Sequence, residues 1–172
     1  KLHLSRISIL QTTAKDTPLF NKNNTLTFLA SRSDGLGERL RAILNAIYFS
    51  ENLSCSYRIV WPLRGGMDTN EFHHITTAEE LFCQSYINEF FIEEKNLASK
   101  KVYDLDKKGP ISLATLSNLS ETGIDYFKVQ QSTPNKYIKN KLENKSDFRK
   151  SFSEIRFSKK INDVIDYVNS LP

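Results

Sequence analysis

Long apolar runs and cysteine are both scarce in this sequence of 172 residues, and each scarcity excludes a class of protein. No stretch approaches the roughly 18 consecutive apolar residues that a membrane-spanning helix needs. Cys55 and Cys83 are too few for a disulfide scaffold and lack the spacing of a CxxC pair. Because Lys1 does not open a signal peptide, we expect reduced thiols in a cytoplasmic protein. The chain begins without Met, so we also expect it to be part of a longer protein.

The composition that is present is ordinary for a globular protein, with a small excess of positive charge. Hydrophobic residues make up 39% and charged residues 26%, and 172 residues are enough for one domain with its own core. The net charge is +4 and the sequence pI is about 9.0, which is weak evidence for a nucleic-acid partner. We expect none, because the aromatic–basic motifs of RNA and DNA readers are absent. A solvated helical face explains the late basic residues, Lys136, Lys139, Lys141, Lys145, Arg149 and Lys150.

The most informative stretch lies between two apolar runs, residues 25–30 and residues 57–61. Asp34 is placed to cap a helix there, and Glu38 falls in the first turn, where the helix dipole favours an acid. Strand, glycine turn, helix and strand together predict a βαβ unit. The predicted buried stripe of the helix consists of Leu36, Leu40, Ile43, Leu44 and Ile47. The polar residues predicted on its other faces are Glu38, Arg41, Asn45 and Asn52.

A capping box marks the start of the next helix. Thr77 is followed three residues later by Glu80, the arrangement in which each side chain satisfies the other's backbone N–H. Beyond this helix we predict strands at residues 101–105 and 126–131, whereas residues 111–116 fit either type. The helix is predicted to carry three apolar residues, Leu81, Phe82 and Ile87.

The C-terminal third is predicted to be helical, with Ser146 and Ser158 as caps of two helices. Strand–helix alternation followed by helices predicts an α/β, Rossmann-like layered domain. We place a polar segment at 1–24, the α/β domain at 25–145 and a helical linker at 146–172. The apolar residues predicted to face inward in the last two helices are Phe148, Phe152, Ile155, Ile161, Val164, Ile165 and Val168.

The glycine turn is the best candidate for ligand binding. Gly35 and Gly37 let the backbone turn sharply and expose N–H groups at the positive end of a helix, which suits an anion or a sugar hydroxyl. The turn is not a P-loop, because the Gly-Lys-Ser/Thr ending is missing. It is not a complete dinucleotide fingerprint either, because Leu40 stands where the third Gly belongs. Arg39 is a candidate for phosphate or carboxylate, although a tight turn without a ligand explains the spacing equally well.

A second glycine loop, residues 64–68, also follows a predicted strand. Ligands of open α/β sheets sit beyond the carboxyl ends of the strands, so we predict that both turns line one crevice. Arg64 is a further candidate for substrate or phosphate, and Asp68 is a candidate general base or simply a solvated acid. His73 and His74 are adjacent and point apart, so we expect no metal site. Trp61 is expected against the core rather than stacked on a sugar.

Residues 34–40, the long helix after them and residues 57–62 resemble the amino-terminal domain of fucosyltransferase-like glycosyltransferases. These include nodulation and α-1,6-fucosyltransferases and bacterial surface-polysaccharide enzymes. Residues 148–165 resemble the helical linker before the second domain of that family. The resemblance implies one half of a GT-B fold, with the glycine turn on the cleft between two Rossmann-like domains. The positions that carry over are Gly35, Gly37 and Arg39, whereas Glu38 replaces an Asn of many members. Asp34 is a further candidate for binding substrate or phosphate.

The family's His-x-Arg-Gly-Asp-type donor motif has no counterpart before Pro172. The resemblance therefore implies an acceptor-side domain that does not turn over alone and has a second domain downstream. Its partners would be a glycan acceptor and a nucleotide sugar, with no cofactor, at the inner face of the membrane.

In the implied mechanism an acceptor hydroxyl attacks the anomeric carbon with inversion, and Glu38 or Asp68 takes its proton. Arg39 and the glycine backbone stabilise diphosphate or position sugar groups. The alternative is a non-catalytic module that binds a glycan or a protein in the same crevice.

Overall fold

The computed structural model describes residues 26–33, 35–62, 76–130, 134–138 and 147–171. At its centre is a four-stranded sheet in the order β2-β1-β4-β3, in which all three pairings are parallel. The strands are β1 (Thr27–Ser31), β2 (Ser56–Val60), β3 (Val102–Asp104) and β4 (Tyr126–Val129). The helices are α1 (Leu36–Leu53), α2 (Ala78–Leu81), α3 (Gln84–Phe90), α4 (Leu105–Lys108), α5 (Leu113–Glu121), α6 (Phe148–Ser153) and α7 (Lys159–Asn169). Two short 3-10 helices lie at Glu94–Leu97 and Pro134–Lys136.

The predicted α/β class and the βαβ unit are confirmed, since β1, α1 and β2 follow one another with parallel strand pairing. The two later strands are also where the sequence predicts them, as β3 and β4. Residues 111–116, which fit either type of structure in the sequence, are helical from Leu113, while Ile111 makes a single parallel bridge with Ile138. The division of the chain at residue 146 stays a prediction. None of the helices that the structure describes is long and apolar enough to cross a bilayer.

Aromatic side chains fill the core on one face of the sheet. Phe28 of β1 is in register with Tyr57 of β2 and with Phe127 of β4, which places the three side chains on the same face. Phe28 stacks on Phe49 of α1 with 5.0 Å between ring centroids, and Tyr57 stacks on Phe90 of α3 at 4.4 Å. Burying a side chain of this size stabilises the fold by about 1.5–3 kcal/mol. These contacts fix both helices against the central strands.

Helix α1 is more deeply buried than the sequence predicts, and the prediction is wrong at one position of the apolar stripe and at two positions of the polar faces. Asn45 and Asn52 are buried, whereas Leu36 is 43% exposed. Helix α6 covers α1 on a second side. Tyr48 stacks on Phe148 with 5.2 Å between the rings, and Ser151 Oγ lies 2.9 Å from a carboxylate oxygen of Glu51.

The two buried asparagines are accommodated because their amide groups have hydrogen-bond partners inside the protein. Asn52 Nδ2 donates to the Tyr48 carbonyl one turn earlier at 2.8 Å. Asn45 Nδ2 donates to the carbonyl of Gln130, just beyond β4, at 2.7 Å. An amide nitrogen that is paired in this way avoids most of its own desolvation cost.

The capping box is confirmed, but the helix that it starts is short. The Thr77 N–H donates to Glu80 Oε2 at 2.8 Å, and the Glu80 N–H donates to Thr77 Oγ1 at 3.4 Å. Helix α2 ends at Leu81, so the prediction of one helix through Phe82 and Ile87 is wrong.

The break after α2 is caused by pairing with the chain that leads into α7. Phe82 is extended and forms an antiparallel bridge with Phe157. The Cys83 N–H donates to the Arg156 carbonyl at 3.0 Å, and the Ser158 N–H donates to the Leu81 carbonyl at 2.7 Å. The Cys83 N–H and the Leu81 carbonyl, which a continuous helix would use for its own hydrogen bonds, are thus bonded to residues 156–158 instead.

The two C-terminal helices are present; the predicted cap of α6 is wrong, whereas Ser158 does occupy the N-cap position of α7. Asp147 caps α6 by accepting from the Lys150 N–H at 2.9 Å, and Ser146 lies outside the described residues. Ser158 precedes α7, but its hydroxyl donates to the Glu80 carbonyl at 2.9 Å instead of capping α7.

Most of the apolar residues predicted to face inward in these two helices stay exposed to solvent over more than a third of their surface. Ile155 is buried, and Ile161 is half-buried against the core. The exposed ones are Phe148, Phe152, Val164, Ile165 and Val168. No element among the described residues covers that face of α7, so correct helical periodicity does not lead to burial there.

Candidate functional site

The glycine turn lies beyond the carboxyl end of β1. Helix α1 begins at Leu36 with Gly35 as its N-cap residue, whereas Asp34, the predicted cap, lies outside the described residues. Gly35 has φ −50° and ψ 154°, values that any residue adopts, and Gly37 is inside the first helical turn. The prediction that these glycines supply a sharp turn is therefore wrong, because neither uses the conformational freedom of glycine.

The space around the two glycines is open. A Cβ atom added to Gly35 or Gly37 would meet nothing within 4 Å, and both residues are exposed. The Gly35 carbonyl accepts from the N–H groups of Glu38 at 3.0 Å and Arg39 at 3.1 Å. No group in the described part of the chain accepts from the N–H of Leu36 or Gly37. The start of this 18-residue helix is thus bare backbone with two available donors at its positive end.

Glu38 adds negative charge beside this bare backbone. Its side chain is 39% exposed, and one of its carboxylate oxygens lies 4.0 Å from the Arg41 guanidinium. An exposed pair at this distance contributes little energy, about 0–1 kcal/mol. Glu38 thus places a partly exposed carboxylate at the start of α1.

Arg39 points into the protein, and it is only 8% exposed. Its guanidinium donates to the carbonyl of Ser33 at 3.1 Å and to the carbonyl of Pro62 at 3.0 Å. It also lies over the Trp61 ring, 5.0 Å from the centroid. Ser33 and Pro62 each lie two residues beyond a strand, β1 and β2 respectively. Arg39 therefore joins the two loops that leave the central strands at this edge of the sheet.

Trp61 packs against the core, as the sequence predicts. Its indole N–H donates to the Thr76 carbonyl at 2.9 Å, and its ring meets Phe82 edge-on at 5.4 Å. The Arg39 guanidinium lies over one face of the Trp61 ring. The tryptophan therefore packs against the residue that joins the loops after β1 and β2.

A polar network beyond β4 is the part of the site that sequence reasoning missed. The Gln130 N–H donates to the Tyr137 hydroxyl at 3.0 Å, and the Gln130 carbonyl accepts from Asn45. The buried Tyr137 hydroxyl donates to the carboxylate of Asp106 at 3.1 Å. A guanidinium nitrogen of Arg32, just beyond β1, donates to Gln130 Oε1.

The residues of this network come from separate elements, so no spacing in the sequence joins them. The one available signal is a polar residue immediately after an apolar strand, which holds for both Arg32 and Gln130. Because β1 and β4 pair in parallel, their ends lie at the same edge of the sheet. The network therefore lies at the edge of the sheet from which the loop to the glycine turn departs.

The two cysteines have opposite electrostatic surroundings. Burial raises the pKa of Cys55 to about 12, and its thiol lies 3.9 Å from the Phe49 carbonyl. The pKa of Cys83 is lowered, first by its 3.3 Å contact with the Ser85 hydroxyl and also by the nearby Arg156 guanidinium. Neither thiol lies among the residues of the glycine turn.

Several residues predicted from the sequence lie outside the described residues, namely Asp34, Arg64, Asp68, His73 and His74. The predicted crevice between the two glycine loops is therefore described on the side of the first loop alone. Within the described ranges, no three His, Cys, Asp or Glu side chains are grouped as ligands for a metal ion.

Comparison of the chain with protein-family models, with curated proteins and with solved structures finds no significant match. The resemblance to fucosyltransferase-like enzymes therefore stays a prediction. The arrangement at the carboxyl edge of the sheet is the ground for assigning a function.

Proposed function

We propose that this chain is the acceptor-side domain of a GT-B glycosyltransferase, which moves a fucose-like sugar from a nucleotide sugar to a glycan. One observation carries the proposal: the N-terminus of α1 is bare backbone, open to solvent at the carboxyl edge of a parallel sheet. Helix N-termini at that edge bind polar and anionic ligand groups in many α/β proteins. The N–H groups of Leu36 and Gly37 would be the donors here.

The glycines support the proposal because the fold itself does not require them. Gly35 and Gly37 have ordinary backbone angles and no neighbour that a methyl group would displace. Glycine inside a helix costs about 0.5–1 kcal/mol relative to alanine. The close approach of a ligand to the backbone is a use of glycine that this geometry leaves available.

The charge beside the glycines favours a neutral ligand group over a diphosphate. Glu38 places a carboxylate, 39% exposed, at the start of α1, and a carboxylate repels a phosphate but can accept a hydrogen bond from a hydroxyl. Because of this carboxylate, we assign the glycan acceptor rather than the nucleotide-sugar donor to this site.

In the proposed reaction the Glu38 carboxylate takes the proton of the acceptor hydroxyl as its oxygen attacks the anomeric carbon. The new C–O bond forms while the bond to the nucleoside diphosphate breaks, with inversion. Asp68 is the other candidate for this proton, and Arg64 is a candidate for binding the donor.

Arg39 has a different role from the one that the sequence suggests. With its guanidinium bonded to the carbonyls of Ser33 and Pro62, it holds the loops after β1 and β2 in place. It is therefore a positioning residue for the glycine turn in this proposal.

The test is the substitution Gly37→Ala combined with a panel of neutral oligosaccharides, measured by calorimetric titration. The added methyl group fills the open space before the Leu36 and Gly37 N–H groups, so we expect at least tenfold weaker binding. Stability should rise by about 0.5–1 kcal/mol, because alanine is the better helix former.

Gly109→Ala is the matched control, since Gly109 has φ 73° and lies after α4, away from α1. It should lower stability, because a positive φ strains alanine, without changing affinity. Unchanged glycan affinity in the Gly37 variant, or a panel in which no glycan binds, would overturn the proposal. If the chain binds a glycan saturably but transfers no sugar, either alone or when extended by downstream sequence, a non-catalytic glycan-binding module is favoured.

A further inference from the structure

Gln130, the first residue after β4, has its backbone held by two side chains. Its N–H donates to the Tyr137 hydroxyl at 3.0 Å, and its carbonyl accepts from Asn45 Nδ2 at 2.7 Å. Both partners are buried side chains. The backbone of Gln130 is thus fixed from two sides by groups that are themselves fixed by packing.

The orientation of the Gln130 side chain follows from the chemistry of its partner. The Arg32 guanidinium donates to the amide oxygen, Oε1. A guanidinium has no acceptor, so the oxygen must face it and the amide nitrogen must face away. The side chain is half-buried, and within the described part of the chain no group accepts from Nε2. Nε2 is also not among the fully buried polar atoms without a partner.

This fixed donor leaves the sheet at the same edge as the loop that leads to the glycine turn. Gln130 follows β4 directly, and Arg32 follows β1, the strand beside it in the sheet. Gly35 is three residues beyond Arg32 on the same loop. An amide donor with a fixed orientation costs little entropy when it binds a ligand.

We propose that Gln130 is a ligand-binding residue of the acceptor site and donates from Nε2 to a neutral oxygen of the glycan, a hydroxyl or ring oxygen. The inference rests on the proposed function, since it names a second contact for the ligand at the start of α1. An uncharged, oriented amide suits an uncharged sugar oxygen, and it complements the Glu38 carboxylate, which accepts from a hydroxyl. Arg32 is the positioning residue that aims this amide.

The test is a titration of the ¹⁵N-labelled chain with a panel of neutral methyl glycosides and oligosaccharides, followed by NMR. The side-chain NH₂ signals of Gln130, assigned through its own side-chain carbons, report directly on Nε2. We expect these signals to shift together with the backbone amides of Leu36 and Gly37 and with the same Kd. Shifts at Leu36 and Gly37 without a shift at Gln130 would overturn this inference and leave the proposed function standing. No shift at any of the three residues for every sugar would overturn both.

The variant Gln130→Glu sharpens the test, because a carboxylate keeps an oxygen facing Arg32 and removes the donor. Loss of one neutral hydrogen bond should weaken sugar binding by about 3- to 10-fold. The matched control is Gln84→Glu, the same chemical change on exposed α3, which should leave affinity unchanged. Equal affinity of the Gln130 variant and the wild-type chain would also overturn the inference.

Discussion

Helices α1 and α7 both carry apolar residues at helical spacing, yet they lie in opposite surroundings. Of the 18 residues of α1, those facing the sheet and α6 are buried, including two asparagines and one arginine. Of the 11 residues of α7, only Ile161 is half-buried, while Val164 and Val168 are 55% and 57% exposed. Periodicity therefore predicts that a helix forms and which face is apolar. Whether that face is buried depends on a second element to cover it.

The polar residues of the two helices show the same difference. Arg39 and Asn45 of α1 bond to backbone carbonyls of other elements and so position loops at the edge of the sheet. Every residue of α7 after Ile161 is exposed, and its contact with the body of the protein is near its first turn. The candidate site belongs to α1 because that helix both packs on the central strands and begins at their carboxyl edge.

The largest difference between the two helices should appear when one apolar residue of each is truncated. Phe49→Ala removes a fully buried ring that stacks on Phe28, and it should cost about 3–5 kcal/mol of unfolding free energy. Val168→Ala on α7 should change stability by less than about 0.5 kcal/mol, as exposed substitutions usually do. Urea unfolding of both variants measures the two values. A cost above about 2 kcal/mol for Val168→Ala would show that α7 is covered in solution.

A smaller effect is expected from the buried cation of α1. Arg39→Met keeps most of the side-chain volume but leaves the Ser33 and Pro62 carbonyls without their donor, so it should cost about 2–4 kcal/mol. Lys160→Met removes an exposed cation of α7 and should change stability by less than about 0.5 kcal/mol. Thermal unfolding of the pair compares them directly. If the two substitutions cost the same, Arg39 does not join the loops after β1 and β2.

The smallest expected effect is on the alkylation rates of the two thiols, Cys55 beside α1 and Cys83 beside the segment that leads into α7. Cys55 follows α1 and has its pKa raised to about 12 by burial, whereas the pKa of Cys83, bonded to the segment before α7, is lowered. At pH 8 iodoacetamide should therefore modify Cys83 well before Cys55, as mass spectrometry of timed samples would show. Preferential modification of Cys55 would mean that the end of α1 opens more readily than the segment before α7.

The raised pKa of Cys55 also makes stability depend on pH. The unfolded thiol ionises near its ordinary pKa of about 8.5, while the folded one stays protonated. The stability that the protonated Cys55 thiol adds to the free energy of unfolding is therefore complete below about pH 8.5. It is lost as the pH rises toward the folded pKa of about 12. Unfolding of Cys55→Ala, compared with the wild-type chain between pH 7 and pH 10, isolates this contribution. A pH dependence that is the same in both chains would contradict it.

The sequence predicts most of the sheet because strands and α1 carry local signals. Alternating or continuous apolar runs mark β1, β2, β3 and β4, and the capping box marks α2. The errors arise where distant segments decide the outcome. The break at Phe82 requires the pairing with Phe157, and the contact between Tyr48 and Phe148 requires α6 on the outer side of α1.

In the candidate site, too, the local features can be predicted from the sequence and the tertiary contacts cannot. The glycine turn is local, and it lies at the predicted edge of the sheet, beyond β1. The inward direction of Arg39 depends on two carbonyls, one of which is 23 residues away. Gln130 could not be predicted, because Arg32 and Asn45 reach it from 98 and 85 residues away. Local patterns thus locate the loop, and only tertiary contacts show which side chains line it.

The strand order has a consequence for how this protein is made. Strand β1 has β2 on one side and β4 on the other, and Phe28 is in register with Phe127. A ribosome adds about 5–20 residues per second, so the nascent chain holds one edge of β1 unpaired for roughly 5 to 20 seconds. During that interval the emerging polypeptide exposes an apolar strand that a chaperone or another nascent chain can reach. Synonymous codons that slow translation before Phe127 would lengthen this interval and should lower the soluble yield.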